Sequence, residues 1–271
     1  MDLLNKLPEN CIAKVISLTS PEDACRISVM GSIFRSAADS DSVWEAFMPS
    51  GYRDIIARAA APPTSFSSTR DLFFHLADKP LIIDHGTKSF SLEKRTGRKC
   101  YMLASRDLSI TWSNSPMYWR FRSLPESRFP EVAELIDVCW LEINGKLSTE
   151  VLSRNTLYGV YLVFKLTSEA RGMDYNESVE VSCGIIGGAS KTQTVFLDQS
   201  HRRDRRSRKR SRAGKVPKVR RDGWLEIKMG EYFSLDGDGD DYADLVMSLK
   251  EVKTLNWKRG LIVEGIEVRP E

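Results

Sequence analysis

The feature that most limits what this chain can become is a change of hydrophobic period at Leu81. Before it, apolar residues recur three and four positions apart; after it, they alternate. The first spacing lines one face of a helix and the second one face of a strand, so a helical segment must precede a sheet-rich one. The expected fold class is α+β. Residues 1–60 form a small helical domain, 61–80 a helical linker, and 81–271 a β domain, in a chain of 271 residues that has room for two moderate domains.

The helical segment carries its own punctuation. Leu7-Pro8-Glu9 opens a helix, since proline at a helix start gives up only a hydrogen bond that the end lacks anyway. Ile12, Val15 and Ile16 then share a face. Ser20 reads as the N-cap of a second helix, with Pro21 at its first position and Glu22 and Asp23 in its first turn. Ala24, Ile27 and Ala37 give an inner face, and Phe34, Val43, Trp44 and Phe47 add bulk. Thr69-Arg70-Asp71 reads as a cap before the apolar helix Leu72 to Leu76. Two or three helices in so short a stretch bury little core of their own, and the rest of the chain or another chain has to complete them. They are a docking element, or a helical cap on the larger domain.

The same residues resemble the F-box. Leu7-Pro8-Glu9, the aliphatic pair that follows, Ser20-Pro21 with Asp23-Ala24, Phe34-Arg35 and the closing Trp44 stand in that family's order, with Cys11 where a longer aliphatic residue is usual and Phe34 where tryptophan is frequent. The resemblance implies docking on a Skp-type adaptor, and through it on a cullin scaffold, by way of Leu7, Pro8, Ile12, Val15, Ile16, Ile27, Phe34 and Trp44.

Past Leu81, alternation marks Phe90 and Leu92, then Leu108, Ile110 and Trp112, then Cys139, Leu141 and Ile143 before an expected turn at Asn144-Gly145. Tyr158 to Phe164 is apolar on both faces and should be a central strand. Val179 to Ile185, Thr194 to Leu197, Trp224 to Met229, Leu245 to Leu249 and Gly260 to Val268 continue the pattern. Eight to ten short strands imply an antiparallel β-sandwich or jelly roll.

Between Cys100 and Lys165 lies an aromatic cluster of Tyr101, Trp112, Tyr118, Trp119 and Trp140, with Ser113-Asn114-Ser115-Pro116 as a turn between two of the tryptophans. Rings beside a loop of hydroxyls and amides suit a sugar, whose apolar face stacks on indole while polar side chains bind its hydroxyls. The same tryptophans would also serve as core. Tyr101 to Trp112, Tyr118-Trp119, Leu124 to Phe129, Cys139 to Ile143, Tyr161 to Lys165, Gly223-Trp224, Gly230-Glu231 with Phe233, and Trp257 to Pro270 resemble the plant phloem protein two, or Nictaba-related, lectin domain. That resemblance implies a jelly roll that binds N-acetylglucosamine oligomers or N-glycan cores, with Trp112, Trp119 and Glu251 as sugar contacts.

Charge is uneven. Residues 202–221 hold twelve Lys or Arg against one Asp, so this run carries +11 in a chain of net +3 and the remaining residues carry −8. The run has no apolar period and should be a mobile loop, about 200–221. It reads as a solvated loop, a nucleic-acid site with steep salt dependence, or a nuclear-import signal through Arg202, Arg203, Arg205, Arg206, Arg208, Lys209 and Arg210. Import is favoured, because an accessible basic peptide is enough for it; no aromatic ring is present to stack on bases, so nucleic acid is not an expected partner. Five cysteines at irregular spacing and three histidines argue against a disulfide framework or a metal site. The acidic stretch Asp236 to Asp241 does not place glycine and glutamate where a calcium loop needs them. Glu131 and Glu134 read as a solvated helix face, and no catalytic constellation emerges. No membrane partner and no cofactor are expected. The expected role is a non-catalytic substrate receptor of an SCF-type ubiquitin ligase in nucleus and cytoplasm, its target glycosylated or bare. The alternative is a free nucleocytoplasmic lectin, active in stress or defence.

Overall fold

The computed structural model describes residues 7–63, 65–173, 178–188, 190–198, 215–235 and 243–271. The chain forms two compact units, Met1–His85 with Ser89–Cys100, and Gly86–Lys88 with Tyr101–Glu271. The fold class is α+β, a small helical unit followed by an antiparallel β-sandwich.

The first unit holds α1 (Glu9–Ile16), α2 (Pro21–Ile27), α3 (Ser32–Asp39), α4 (Asp41–Phe47), α5 (Tyr52–Ala57) and α6 (Thr69–Asp78). Ser20 caps α2 by accepting from Asp23 N at 3.1 Å. Ser68, one residue before the expected cap, does the same for α6 through Asp71 N at 3.1 Å. The core gathers on Trp44, whose Nε1 donates to Ala38 O at 2.8 Å and whose ring lies 5.2 Å from both Phe73 and Phe74. Ile12, Ile16, Ala24, Ala37 and Val43 fill the rest. Residues 61–80 are thus no separate linker, because α6 supplies two of the rings that enclose Trp44. Strand β1 (Leu81–Ile83) belongs to this unit too, held by the bond from Ala60 N to Ile82 O at 2.8 Å and by Arg58 on Asp84 at 2.7 Å. The division between units falls within β2 (Lys88–Leu92) and β3 (Lys99–Ala104), later than the change of period at Leu81.

The second unit adds β4 (Ser109–Ile110), β5 (Trp119–Arg122), β6 (Val132–Leu135), β7 (Leu141–Ser148), β8 (Thr156–Arg171), β9 (Val179–Ile185), β10 (Ser190–Val195), β11 (Lys218–Val219), β12 (Leu225–Ser234), β13 (Asp244–Glu251) and β14 (Arg259–Pro270). Fourteen strands among the described residues exceed the expected eight to ten, since several are two to four residues long. In one sheet the order is β3-β14-β8-β12-β11, with β6 also on β14 and β5 on β6; in the other it is β10-β9-β13-β7-β4. The doubly apolar run Tyr158 to Phe164 is the middle of β8, between β14 and β12. Its Tyr158, Val160, Leu162 and Phe164 are buried, as are Ile143, Leu147, Leu245, Met247, Leu249, Val181 and Cys183 of the other sheet.

Three expectations fail for local reasons. Asn144-Gly145 is no turn but lies inside β7, paired with Ser248 and Met247 of β13; glycine stands there because a Cβ would press on Ile266, Leu108 and Met247 at 3.0–3.2 Å. Glu134 sits on a strand and takes Arg120 at 2.7 Å and Arg122 at 2.6 Å, so Glu131 and Glu134 are not a helix face. The basic run is not loop throughout: Lys218 and Val219 form β11, and Arg220 is enclosed. On the outward side of β14, Arg220 meets Glu267 at 2.7 Å and Glu226 at 3.2 Å; Arg269 meets both carboxylates, and Arg128 approaches Glu267 at 3.5 Å. Burial would raise the Glu267 carboxyl, but Arg220, Arg128 and Arg269 outweigh it and hold it at about 2.

Candidate functional site

Two surfaces stand out, one in each unit. In the helical unit, α1 is apolar on two sides. Ile12, Ala13 and Ile16 turn inward and are buried. Cys11 and Val15, four residues apart, form a second stripe, and Leu7 and Leu18 extend its spacing just beyond the helix ends. All four are exposed, Val15 by 61% and Leu18 by 75%. Val29 and Met30, in the turn before α3, are exposed as well. The expected adaptor-binding set therefore divides: Leu7, Pro8 and Val15 are exposed, Ile27 and Phe34 half-buried, and Ile12, Ile16 and Trp44 in the core. Those three are buried, and the unit uses them to hold its own helices together. Leu18, Val29 and Met30 are exposed apolar residues outside that set; the sequence signal for Leu18 is its place three residues after Val15.

In the sandwich, the aromatic cluster splits in the same way. Trp119 is 2% exposed, with Nε1 donating to Thr111 O at 3.1 Å. Its indole is a strut under the turn and is not offered for stacking. Trp112 stands on that turn, 54% exposed, 6.1 Å from the Tyr118 ring, with φ at +66°. A bulky residue in the left-handed region costs of order 1–2 kcal/mol, so the fold holds this ring outward against its backbone preference. The bond from Thr111 N to Glu142 O at 3.1 Å ties the turn to the start of β7, where Trp140 is also exposed and donates from Nε1 to Glu142 Oε2 at 3.1 Å. Lys250 reaches the other oxygen of Glu142 at 2.9 Å and Asn144 the same one at 3.2 Å. Lys250 first, then Trp140, hold the Glu142 carboxyl at about 2.

Glu251 is 3% exposed and no sugar can reach it. Its carboxylate accepts from Lys253 N at 3.2 Å and Thr254 N at 3.0 Å and is ion-paired with Lys258, which is fully buried. Lys258 Nζ also donates to Asn256 O at 2.7 Å and Cys139 O at 3.0 Å. Burial alone would raise the Glu251 carboxyl; Lys258 and the Thr254 N–H outweigh it and hold it below its ordinary value. The pair folds the loop from β13 to β14, and the loop's exposed Trp257 is its neighbour. Lys258 pairs by backbone with Val138 at 2.7 and 2.9 Å, which brings this loop beside Trp140. The rim that results is Trp112, Tyr118 and Trp140 around Glu142 and Lys250: indole faces for stacking, with a carboxylate, an ammonium and the Asn144 amide for hydroxyl groups. Trp140 was legible as the outward phase beside buried Leu141; Trp257, next to a loop, carried no periodic signal.

The import candidates Arg202, Arg203, Arg205, Arg206, Arg208, Lys209 and Arg210 and the acidic stretch Asp236 to Asp241 lie outside the described residues. Among the described residues, no group of three or more His, Cys, Asp or Glu is placed to hold a metal, and no helix is long and apolar enough to cross a membrane.

Comparison with known proteins bears on both units. The phloem protein 2 family matches residues 98–270. The F-box protein At2g02240 of Arabidopsis thaliana is 43% identical over 97% of this chain and 79% of its own. The putative F-box protein PP2-B2 is 42% identical over 99% and 83%, and the F-box protein PP2-B10 is 41% identical over 98% and 93%, both from the same plant.

Proposed function

We propose, from the premise that the chain belongs to the plant F-box proteins that carry a phloem protein 2 domain, that it is the non-catalytic substrate receptor of an SCF-type ubiquitin ligase. The helical unit docks on a Skp-type adaptor and so on the cullin scaffold, and the sandwich presents its aromatic rim to a target that carries a glycan. The observation that carries the first half is the second apolar stripe of α1, Leu7, Cys11, Val15 and Leu18, which faces outward in a unit already closed on Trp44. A partner that covered only Val15 and Leu18, 61% and 75% exposed, would gain about 2 to 4 kcal/mol from their burial. Val15→Asp with Leu18→Asp changes no core residue. It should abolish co-purification with a Skp-type adaptor and leave the circular dichroism unchanged; undiminished capture would overturn the ligase reading.

The second half rests on Trp112, held outward at a positive φ on the turn that Thr111 ties to Glu142, the residue to which exposed Trp140 donates. N-acetylglucosamine oligomers should bind the full chain, and Trp112→Ala or Trp140→Ala should each cost roughly 1–3 kcal/mol of binding. A chain that binds the adaptor but no oligomer selects its target by a protein surface. A free lectin is the alternative, favoured if oligomers bind while the adaptor does not. Residence in both nucleus and cytoplasm is proposed from the basic run; fusing residues 200–222 to a cargo too large to diffuse through nuclear pores should carry it into the nucleus.

A further inference from the structure

Strand β10 closes one end of the five-stranded sheet, and its outer edge is open. It is six residues long, whereas the strands at the other sheet ends, β1, β11, β4 and β5, have three, two, two and four. Its register on β9 runs from Ser190 to Val195 without a bulge, and Ser190-Lys191-Thr192-Gln193-Thr194-Val195 holds no proline. Exposed edges are ordinarily blunted by shortness, proline, a bulge or charge, and of these β10 has only the charge of Lys191.

One bond shows which groups face outward. Phe196 N donates to Lys215 O at 2.9 Å, on the side away from β9, next to a parallel bridge between Val195 and Lys215. Backbone groups alternate along a strand as side chains do, so the N–H and C=O of Thr194, Thr192 and Ser190 point the same way. In an antiparallel ladder those are the residues that make no bond to β9. Among the described residues no strand pairs with Ser190 or Thr192 on that side, and the bridge at Val195 demonstrates that this edge takes a neighbour.

The open edge is flanked by cations. Lys191 stands near its start and Lys215 beside Val195 at its end, about 13 Å apart at about 3.3 Å per residue. Both are exposed, and neither is drawn into an ion pair among the described residues. This disfavours a second copy of the chain as the neighbour: two β10 strands paired antiparallel about their centres would set each Lys191 beside the other copy's Lys215, like charge on like. An acidic chain meets the opposite case, since such charges speed encounter and select the partner.

We infer that the edge of β10 is a docking strand for an extended, proline-free segment of a target polypeptide with acidic side chains near both ends. The segment adds as a sixth strand: main-chain bonds to Ser190, Thr192 and Thr194 hold it, and Lys191 and Lys215 choose it. That the segment belongs to a target rests on the receptor reading, which the adaptor experiment tests separately; the docking strand depends neither on that reading nor on the glycan rim.

The test uses the full chain and a fluorescein-labelled peptide, Glu-Thr-Val-Thr-Glu-amide, whose five residues match Ser190 to Thr194, read by fluorescence anisotropy. The unmodified peptide should bind. Methylating its alternate amide nitrogens should weaken binding more than tenfold in one phase and leave it unchanged in the other, because only one set of amides faces the edge. Thr192→Pro removes an N–H that makes no bond to β9, which an edge strand tolerates; it should weaken the peptide more than tenfold with the circular dichroism unchanged. Lys191→Glu should weaken it several-fold and serves as the check if the proline variant fails to fold. If neither phase of methylation weakens binding, charge alone holds the peptide and the docking strand is refuted, as it is if the wild type binds no peptide. Binding that appears only when residues 203–212 are deleted would make the chain's own basic run the occupant, and a dimer that Thr192→Pro separates would make it a second copy; either result overturns a target segment there.

Discussion

Replacing Lys258 by methionine is the sharpest test of why the sandwich holds its rim in place. The ammonium is fully buried and makes three contacts, with Glu251, Asn256 O and Cys139 O. Methionine keeps most of the stem's volume but strands a buried carboxylate and two carbonyls. Removing one partner of a buried ion pair costs about 3 to 5 kcal/mol. In a domain of this size each kcal/mol lowers the melting temperature by about 2–4 °C, so Lys258→Met should lower it by about 6 to 20 °C. Adding Glu251→Gln removes the stranded charge and should recover part of that loss. The pH dependence follows from the lowered Glu251 carboxyl: its contribution is present above the unfolded value near 4.5 and is lost as pH falls through the lower folded value. Differential scanning calorimetry on wild type, both single variants and the double variant closes the cycle. A loss below about 1 kcal/mol in Lys258→Met, or a double variant worse than either single one, would refute a dry, mutually dependent pair. A Glu251 that contacted sugar would behave differently, losing oligomer affinity while stability stayed put.

Glu264 and Glu267, three residues apart, should respond oppositely to acid. Burial raises Glu264 above the ordinary range, so its contribution is greatest below about 4.5 and is lost as pH rises through its higher folded value; Glu267, held near 2 by its arginines, loses its contribution as pH falls from 4.5 toward 2. Urea titrations across pH should accordingly show Glu267→Gln costing about 3 to 5 kcal/mol at neutral pH and Glu264→Gln little or nothing. Gly230→Ala places a Cβ 2.5 Å from the Cys183 Cβ and should destabilise by about 1 to 3 kcal/mol, with recovery in the Cys183→Gly background. Trp112→Gly relieves the left-handed backbone and should raise stability by about 1 kcal/mol while abolishing oligomer binding; a fall in melting temperature would mean that the ring packs the fold.

The elements were more legible than the surfaces. Capping and spacing located α1, α2 and α6, and two-sided apolarity marked β8 as central, because both signals are local. Which side of an element meets the core is not local. Val15 and Ile16 share the helical stripe of α1 on paper, yet one is outside and the other inside, since α3 and α4 close on only one flank. Trp112 and Trp119 flank the same four-residue turn; the turn sends one ring out at a positive φ and folds the other under Thr111. Arg220 reads as one more charge in a basic run, and only the strand order β14-β8-β12-β11 shows it neutralised by Glu226 and Glu267.

The residues expected to touch sugar illustrate how such a site is built. Trp119 and Glu251 are buried, one beneath the turn that raises Trp112 and the other beneath the loop that raises Trp257. Each buried group fixes the backbone from which an exposed ring projects, so altering either would displace that ring without touching a ligand. The two surfaces with a proposed role share a second property. Helix α1 carries an apolar stripe where a solvent-facing helix would be charged, and the turn and strand start at Trp112 and Trp140 expose indole rings where polar side chains would be ordinary. The proposed roles make each complementary to a different class of partner: an apolar protein groove for the helix, the apolar face of a sugar for the indoles. A receptor that must hold an adaptor and a target at once needs two such surfaces of unlike chemistry, because a shared one would let each ligand compete for the other's site.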